Sequence, residues 1–444
     1  MASSSAIVIV PVLLVGLLIG ALVFFIGRLV AYPVRRFDGF LRRRLPRLAA
    51  HAATAILVLV VGVTLTRNVV LDPLGEFANE RFGAFDTDTP DGVRPPASGL
   101  RSGGPGSLVT WDSLGFQGRA FIGGGPTVEE LQGFSGDGVA EPIRVYVGLR
   151  AADTPQEQAK LAVEELERTG AFDRSVLAVA TVTGTGWINP VAADALEYMY
   201  GGNTAIVAIQ YSYLPSWISF LVDLDSAAES GRALIGAVTE RWATLPSDDR
   251  PRLLAFGESL GSFGSESAFE GPDAAASVGS VSARVEGALW IGPTFANPIW
   301  GQIVDERGDG SPVWSPRFGD GRQVALLGRP DQPPVDGQDR LPPDVVYLTH
   351  PSDPVTWADV EALWRRPAWM AAPTGYDVPN DLFWFPGVTA LQVTFDLMAG
   401  FGAPPGFGHD YTPSIVDGWA ALAAPDGWTA EDSMAAPRTA PRMT

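Results

Sequence analysis

The chain has no cysteine, one lysine (Lys160) against 30 arginines, and only three histidines, His51, His350 and His409. The missing thiols exclude a cysteine nucleophile, disulfides and cysteine-ligated metals. So few histidines leave the base of any acid–base chemistry with almost no candidates. Positive charge is scarce outside the N-terminus: residues 1–70 hold eight arginines and one acid, Asp38, while the other 374 carry 23 basic and 49 acidic residues, a net −26. A surface that acidic excludes a nucleic-acid partner. Gly123, Gly124 and Gly125 lead into Pro126 with no Gly-Lys-Ser/Thr, so they read as a turn rather than a phosphate loop, and no cofactor is expected.

What is present falls into segments. Ala6 to Gly27 is 22 residues without charge and Ala49 to Thr66 is 18, each long enough to cross a bilayer. Arg28, Arg35, Arg36, Arg42, Arg43, Arg44 and Arg47 lie between them, and the positive-inside rule holds such a loop in the cytoplasm. The expectation is a two-span membrane anchor over 1–70 with everything after Thr66 outside the cell; a pair of buried core helices is the alternative. A signal peptide fits poorly, because there is no basic n-region and the apolar run is too long. His51, at the edge of the second stretch, reads as an interfacial side chain.

Residues 71–141, rich in Gly, Pro, Asp and Ser, read as a linker or a cap. From 142 to 427 apolar runs alternate with helical spacing. Strands are expected at Ile143 to Leu149, Ser175 to Val182, Thr204 to Gln210, Leu253 to Phe256, Val285 to Ile291, Val324 to Leu327 and Val345 to Leu348. That alternation predicts an α/β class with a mostly parallel, doubly wound sheet. The last residues, 428–444, lack periodicity and read as a disordered tail.

The chemistry centres on Gly257-Glu258-Ser259-Leu260-Gly261, which follows a strand and opens a helix of small residues. In that setting G-x-S-x-G forms a sharp turn that exposes the serine hydroxyl at the end of the sheet, and an ordinary strand-to-helix turn is the plain alternative. A serine needs a base and the base needs a carboxylate, in the chain order Ser, acid, His. His409, in the loop Pro404 to Asp410, is the histidine placed to serve. Asp353, in the turn after Val345 to Leu348, is the expected acid and also a natural N-cap before Pro354, with Asp359 and Asp410 behind it. His350 lacks companions for a metal site. Oxyanion donors are expected at the Leu260 N–H and in the loop after Ser175 to Val182, at Gly184 and Thr185. Tyr213, Trp217 and Trp187 are candidates for an apolar acyl pocket.

Six segments carry a family resemblance: P-I-R-V-Y-V-G-L from Pro142, T-G-T-G-W from Thr183, Q-Y-S-Y-L-P-S-W from Gln210, G-E-S-L-G-S from Gly257, H-P-S-D-P-V-T-W from His350 and P-P-G-F-G-H from Pro404. With them the chain resembles the actinobacterial membrane-anchored alpha/beta-hydrolase family, in which membrane helices precede a catalytic domain. The resemblance implies Ser259, Asp353 and His409 as a triad and names no substrate; its members usually carry about four spans, where two are found. The function expected is a membrane-held serine hydrolase acting on a lipid or envelope ester. An acyltransferase with the same triad and a non-catalytic envelope-binding module are the alternatives. No oligomeric state is assigned.

Overall fold

Parallel strands covered on both faces must be apolar on both faces, and that pattern is what builds this sheet. The computed structural model describes residues 31–65, 72–329, 342–399 and 402–438, with Arg28 and Asn68. It separates into two units, residues 1–76 and 77–444.

In the first unit residues 31–41 are helical and helix α1 spans Arg47–Leu65. Asp38 pairs with Arg42 and with His51, each at 2.9 Å, so His51 has an intramolecular partner. The expected first span, Ala6 to Gly27, lies outside the described residues. Among the described residues no helix is long and apolar enough to cross a membrane, so the two-span expectation has no support there.

The second unit holds a seven-stranded, all-parallel sheet, with strands β1 (Ile143–Val147), β2 (Val176–Thr181), β3 (Thr204–Ile209), β4 (Arg252–Glu258), β5 (Gly287–Ile291), β6 (Val324–Leu327) and β7 (Val345–Leu348) in the order β1-β3-β2-β4-β5-β7-β6. Each element of the sheet lies where the sequence places it, within one or two residues at most ends.

Residues 77–141, expected as part of a linker or a cap, include helices and pack on the sheet edge rather than running as an extended linker. Residues 71–141 contain α2 (Asp72–Phe85), which runs across the boundary of the units, α3 (Gly115–Gly123) and α4 (Val128–Ser135). Helix α4 starts with a capping box between Thr127 and Glu130. Arg101 forms a bridge with Arg144 of β1, and the Ser102 N–H donates to the Arg144 carbonyl at 3.1 Å, which covers part of an otherwise open sheet edge. The Arg144 guanidinium is buried, donating to the Phe121 carbonyl at 2.7 Å, to Glu197 at 2.8 and 2.7 Å and to Asp194 at 2.7 Å. Two carboxylates are what make a buried cation tolerable.

Helix α5 (Pro155–Thr169) begins at Thr154, whose hydroxyl accepts from the Glu157 N–H, and stops at Gly170 with φ 70°. Next come α6 (Pro190–Met199), α7 (Ser216–Val222), α8 (Leu224–Ala243), α9 (Leu260–Glu266), α10 (Ala274–Arg284), α11 (Pro298–Asp305), α12 (Pro354–Trp357), α13 (Val388–Ala399), α14 (Ile415–Ala423) and α15 (Ala430–Ala435). Helices α5, α8 and α9 pack together; α6 packs with α14, tied by Trp419 Nε1 donating to the Ala192 carbonyl at 2.9 Å.

The expected tail is ordered through 438. Trp428 is buried and donates to Ser433, Thr429 and Asp432 form a capping box for α15, and Arg438 pairs with Asp417 at 3.0 Å. Residues 439–444 lie outside the described residues.

Registers Thr181↔Gly257, Glu258↔Ile291 and Ile291↔Leu348 align the carboxyl ends of β2, β4, β5 and β7 into one rim. Beneath it Glu266, fully buried at the end of α9, accepts from Asn297 Nδ2 (2.8 Å), the Ile299 and Trp300 N–H groups (2.7 and 3.1 Å) and the Tyr347 hydroxyl (2.7 Å). These bonds cap the first turn of α11 and tie it to α9. Burial pushes the Glu266 carboxyl from 4.5 up to about 7. A carboxyl raised by folding contributes stability that is full below its unfolded value and is lost as pH rises through about 7. Glu266→Ala should cost about 3 kcal/mol or more in urea unfolding, because four donors lose their acceptor. Glu266→Gln should flatten the decline in stability between pH 4.5 and 7.

Candidate active site

The end of β4 is where backbone geometry is most constrained. Ser259 has φ 53° and ψ −123°, and among the described residues it is the one non-glycine with positive φ. Such a conformation costs on the order of 1–3 kcal/mol and persists only when its surroundings enforce it. Here they do. A Cβ on Gly257 would lie 2.4 Å from the Gly261 carbonyl oxygen, and one on Gly261 would lie 2.3 Å from that of Thr181. The Ser259 N–H donates to the Ile291 carbonyl at 2.8 Å, and its own carbonyl accepts from the Ser262 N–H and hydroxyl at 2.9 and 2.6 Å. Leu260 is the first residue of α9, so its N–H has no partner inside the helix.

Asp353 follows β7 and serves two purposes at once. One oxygen caps α12 by accepting from the Val355 N–H at 2.8 Å. The other accepts from His409 Nδ1 at 2.7 Å, the Tyr411 hydroxyl at 2.6 Å and Thr356 Oγ1 at 3.3 Å. A carboxylate at Nδ1 requires the proton there, which makes Nε2 the basic nitrogen of His409. The imidazole lies against Gly292, where a Cβ would come within 2.8 Å of its Cε1. Gly292 follows Ile291, the acceptor for Ser259, so the Ser259 turn and the imidazole are held at consecutive residues of one chain segment. Of the other acids considered, Asp359 caps the turn at 360–363, and Asp410 accepts from the Thr412 N–H at 3.0 Å.

Burial alone lowers the basicity of His409, but Asp353, then Glu258 and Asp410, outweigh it and hold the imidazole above its ordinary value. The loop that carries it is braced by His350. That ring is fully buried, is bonded through Nδ1 to the Gly408 carbonyl at 2.8 Å, and stacks on Tyr411 with centroids 4.2 Å apart and planes 10° apart. Among the described residues no group of three or more His, Asp or Glu side chains could hold a metal ion.

The loop after β2 begins beside the elbow and is closed on itself, with the Thr183 N–H donating to the Trp187 carbonyl and the Gly186 N–H to that of Thr183. Gly184, φ 34°, is pressed against Ser216 and faces the buried Tyr211 hydroxyl. Thr185 is partly exposed, and its carbonyl accepts from Gln210 Nε2 at 2.9 Å.

The three candidate pocket aromatics do not converge. Trp187 lines a cavity of about 10 Å³ with Thr183, Asn189, Phe256 and Glu258. Trp217 on α7 is 51% exposed, while the Tyr213 ring packs on Gly83 of α2. A different pair spans the rim: Phe220 of α7 and Phe295, after β5, have centroids 4.9 Å apart. Sequence reasoning also gave no place to Glu258, which lies beside Ser259. Its Oε2 accepts from Asn189 Nδ2 at 2.6 Å while Asn189 Oδ1 caps α6, and the Asn-Pro start of that helix was the available signal. Burial raises the Glu258 carboxyl to about 6. Tyr411 and His350 carried no local signal for their roles, which arise only from tertiary contact.

Residues 143–436 match the family described as "Alpha/beta-hydrolase family", and residues 1–126 match the one described as its N-terminus. No curated protein matches the chain. Two solved structures of acetyl xylan esterase, one of them an iodinated complex, are similar at 14% and 13% identity; each covers 41% of this chain and 85% of its own, with a TM-score of 0.25. A likeness at that score says nothing of activity.

Two substitutions test the pair at the centre. Asp353→Asn should lower any serine-dependent activity by about 10³–10⁴, because the imidazole loses its enforced tautomer. Tyr411→Phe keeps the ring stack and should cost about tenfold or less, one donor to a carboxylate that retains three. Steady-state rates on a chromogenic ester check both.

Proposed function

This chain belongs to the alpha/beta-hydrolase family, and we propose that it is a serine hydrolase that cleaves carboxylic esters through an acyl-enzyme on Ser259. The observation that carries the reading is the 2.7 Å bond between Asp353 and His409, made by an imidazole that sits one residue from the acceptor of the Ser259 N–H. In the proposed reaction His409 Nε2 takes the Ser259 proton as Oγ attacks the ester carbonyl. Asp353 stabilises the imidazolium that forms. The carbonyl oxygen, now an anion, is received by the Leu260 N–H and by the Thr185 N–H, since those of Thr183, Gly186 and Trp187 are bonded within their loop. Collapse breaks the C–O bond to the alcohol, which leaves with the proton from His409. Water, deprotonated by the same nitrogen, then releases the acid and restores Ser259.

An apolar acyl chain is supported by the rim, where Trp217, Leu221 and Phe295 are 51%, 61% and 44% exposed around the Phe220–Phe295 contact. The uncharged stretch from Ala6 to Gly27 and the arginines after it support a membrane-held enzyme whose ester is a lipid or an envelope acyl group, with the catalytic unit outside.

Because the base must be neutral and its neighbours hold it basic, kcat/KM should rise with pH through a value above 6.5 and stay high on the alkaline side. A fluorophosphonate probe should label the wild-type protein and not Ser259→Ala; equal labelling of the two would remove Ser259 as the nucleophile. Ester hydrolysis with and without an added alcohol then separates hydrolysis from acyl transfer. Protease treatment of intact cells should digest the catalytic unit, and digestion only after lysis would overturn the outward orientation.

A further inference from the structure

Glu258 occupies the variable position of the elbow, immediately before Ser259, and the reaction just proposed gives it no part. Its side chain is only partly exposed. One oxygen is bonded to Asn189, at the head of α6, the helix that follows the Thr183–Trp187 loop. With Asn189, Glu258 lines a cavity with room for about one water, whose other walls include Thr181, Thr183, Trp187 and Phe256. The charged groups that face it are His409, Asp410 and Asp353. A carboxylate so placed carries negative charge beside the nucleophile with a single hydrogen bond from a neutral donor, Asn189.

We propose, on the strength of the serine-hydrolase reading, that Glu258 is a charge-setting positioning residue of this site, and that it makes the enzyme select against acyl groups bearing a negative charge near the scissile carbonyl. Through Asn189 it ties the elbow to the far end of the oxyanion loop. Through space it supports a protonated His409 and repels a second anion. Asp353 is spent on four donors, whereas Glu258 keeps most of its field for whatever enters. The substrate class that follows is an ester of an uncharged or cationic acyl group.

The test compares the wild-type protein with Glu258→Gln, which keeps an acceptor for Asn189 and removes the charge. Two readouts are used. The first is the pH dependence of fluorophosphonate labelling, which needs no knowledge of the substrate. With the charge gone, the imidazole deprotonates more easily, so the acid limb should move to lower pH by roughly one unit. The second is the kcat/KM ratio for p-nitrophenyl butyrate over mono-p-nitrophenyl succinate, which should fall about tenfold in the variant. A merely structural role for Glu258 would move neither.

An unchanged acid limb together with an unchanged ratio overturns the proposal. Asn189→Ser retains a helix cap but removes the one donor to the Glu258 carboxylate, so burial should neutralise Glu258 over more of the pH range and the limb should move downward, as in Glu258→Gln; an upward shift there would count against the charge as the cause. Labelling that survives Ser259→Ala defeats the serine reading itself, and so is distinguishable from failure of the role given to Glu258.

Discussion

The site depends on how closely three backbones approach one another at the end of β4. Gly257 sits against the Gly261 carbonyl, Gly261 against that of Thr181, and Gly264 would place a Cβ 2.7 Å from the carbonyl oxygen of Ala227 on α8. No side chain fits in those spaces, so strand, turn and helix are locked into a stack thinner than ordinary packing allows. Ser259 takes its strained φ because the chain must reverse inside that stack, and the strain is sustained by the contacts around it rather than by its own preference. The same compression brings the start of the β2 loop beside the serine. The position of Ser259 and the position of the loop proposed to supply oxyanion donors are therefore one structural fact.

A second economy appears at the end of β7. The turn from His350 to Pro354 is short, and within it one aspartate caps a helix and orients an imidazole, while one histidine three residues earlier holds the chain next to that imidazole. Tyr411 closes the arrangement by lying flat on His350 and donating to Asp353. Each of these side chains is buried, and together their polar contacts join the turn after β7 to the segment that carries His409. The rigidity of that loop is thus borrowed from β7 and does not come from the Gly- and Pro-rich loop sequence itself.

These arrangements explain what could be read in the linear chain and what could not. Continuous apolar runs such as Leu253 to Phe256 read as buried strands because they are too short for a buried helix and are bounded by Pro251 and Gly257. Ser259 and Asp353 stood out because each directly follows an apolar strand run, whereas His409 lies between two helices and stood out only because the chain has three histidines. Helix α15 and helix α4 were equally legible and were passed over: Thr429-x-x-Asp432 and Thr127-x-x-Glu130 are capping-box spacings hidden inside Gly- and Pro-rich surroundings. Tyr213 misled because its place in the sequence, beside Tyr211 and Trp217, does not fix which way its ring turns. The side chain lies against α2, a helix more than a hundred residues earlier, and no local pattern encodes that contact.

The buried acids show why proximity along the chain is a poor guide to chemical role. Asp353 and Glu266 each accept four hydrogen bonds, whereas Glu258 accepts one. Donors stabilise a carboxylate and burial opposes it, so the balance differs at each site. At Glu266 the donors are neutral and shielded from any cation; they serve to join two helices, and burial still raises the carboxyl. At Asp353 the partner is an imidazole that gains from the charge, which makes the burial productive. Glu258 has neither full satisfaction nor full enclosure, and for that reason its charge is felt by its neighbours instead of being consumed by them. Three acids within one domain thus separate into a structural tie, an orienting partner and a source of field, according to what surrounds each oxygen.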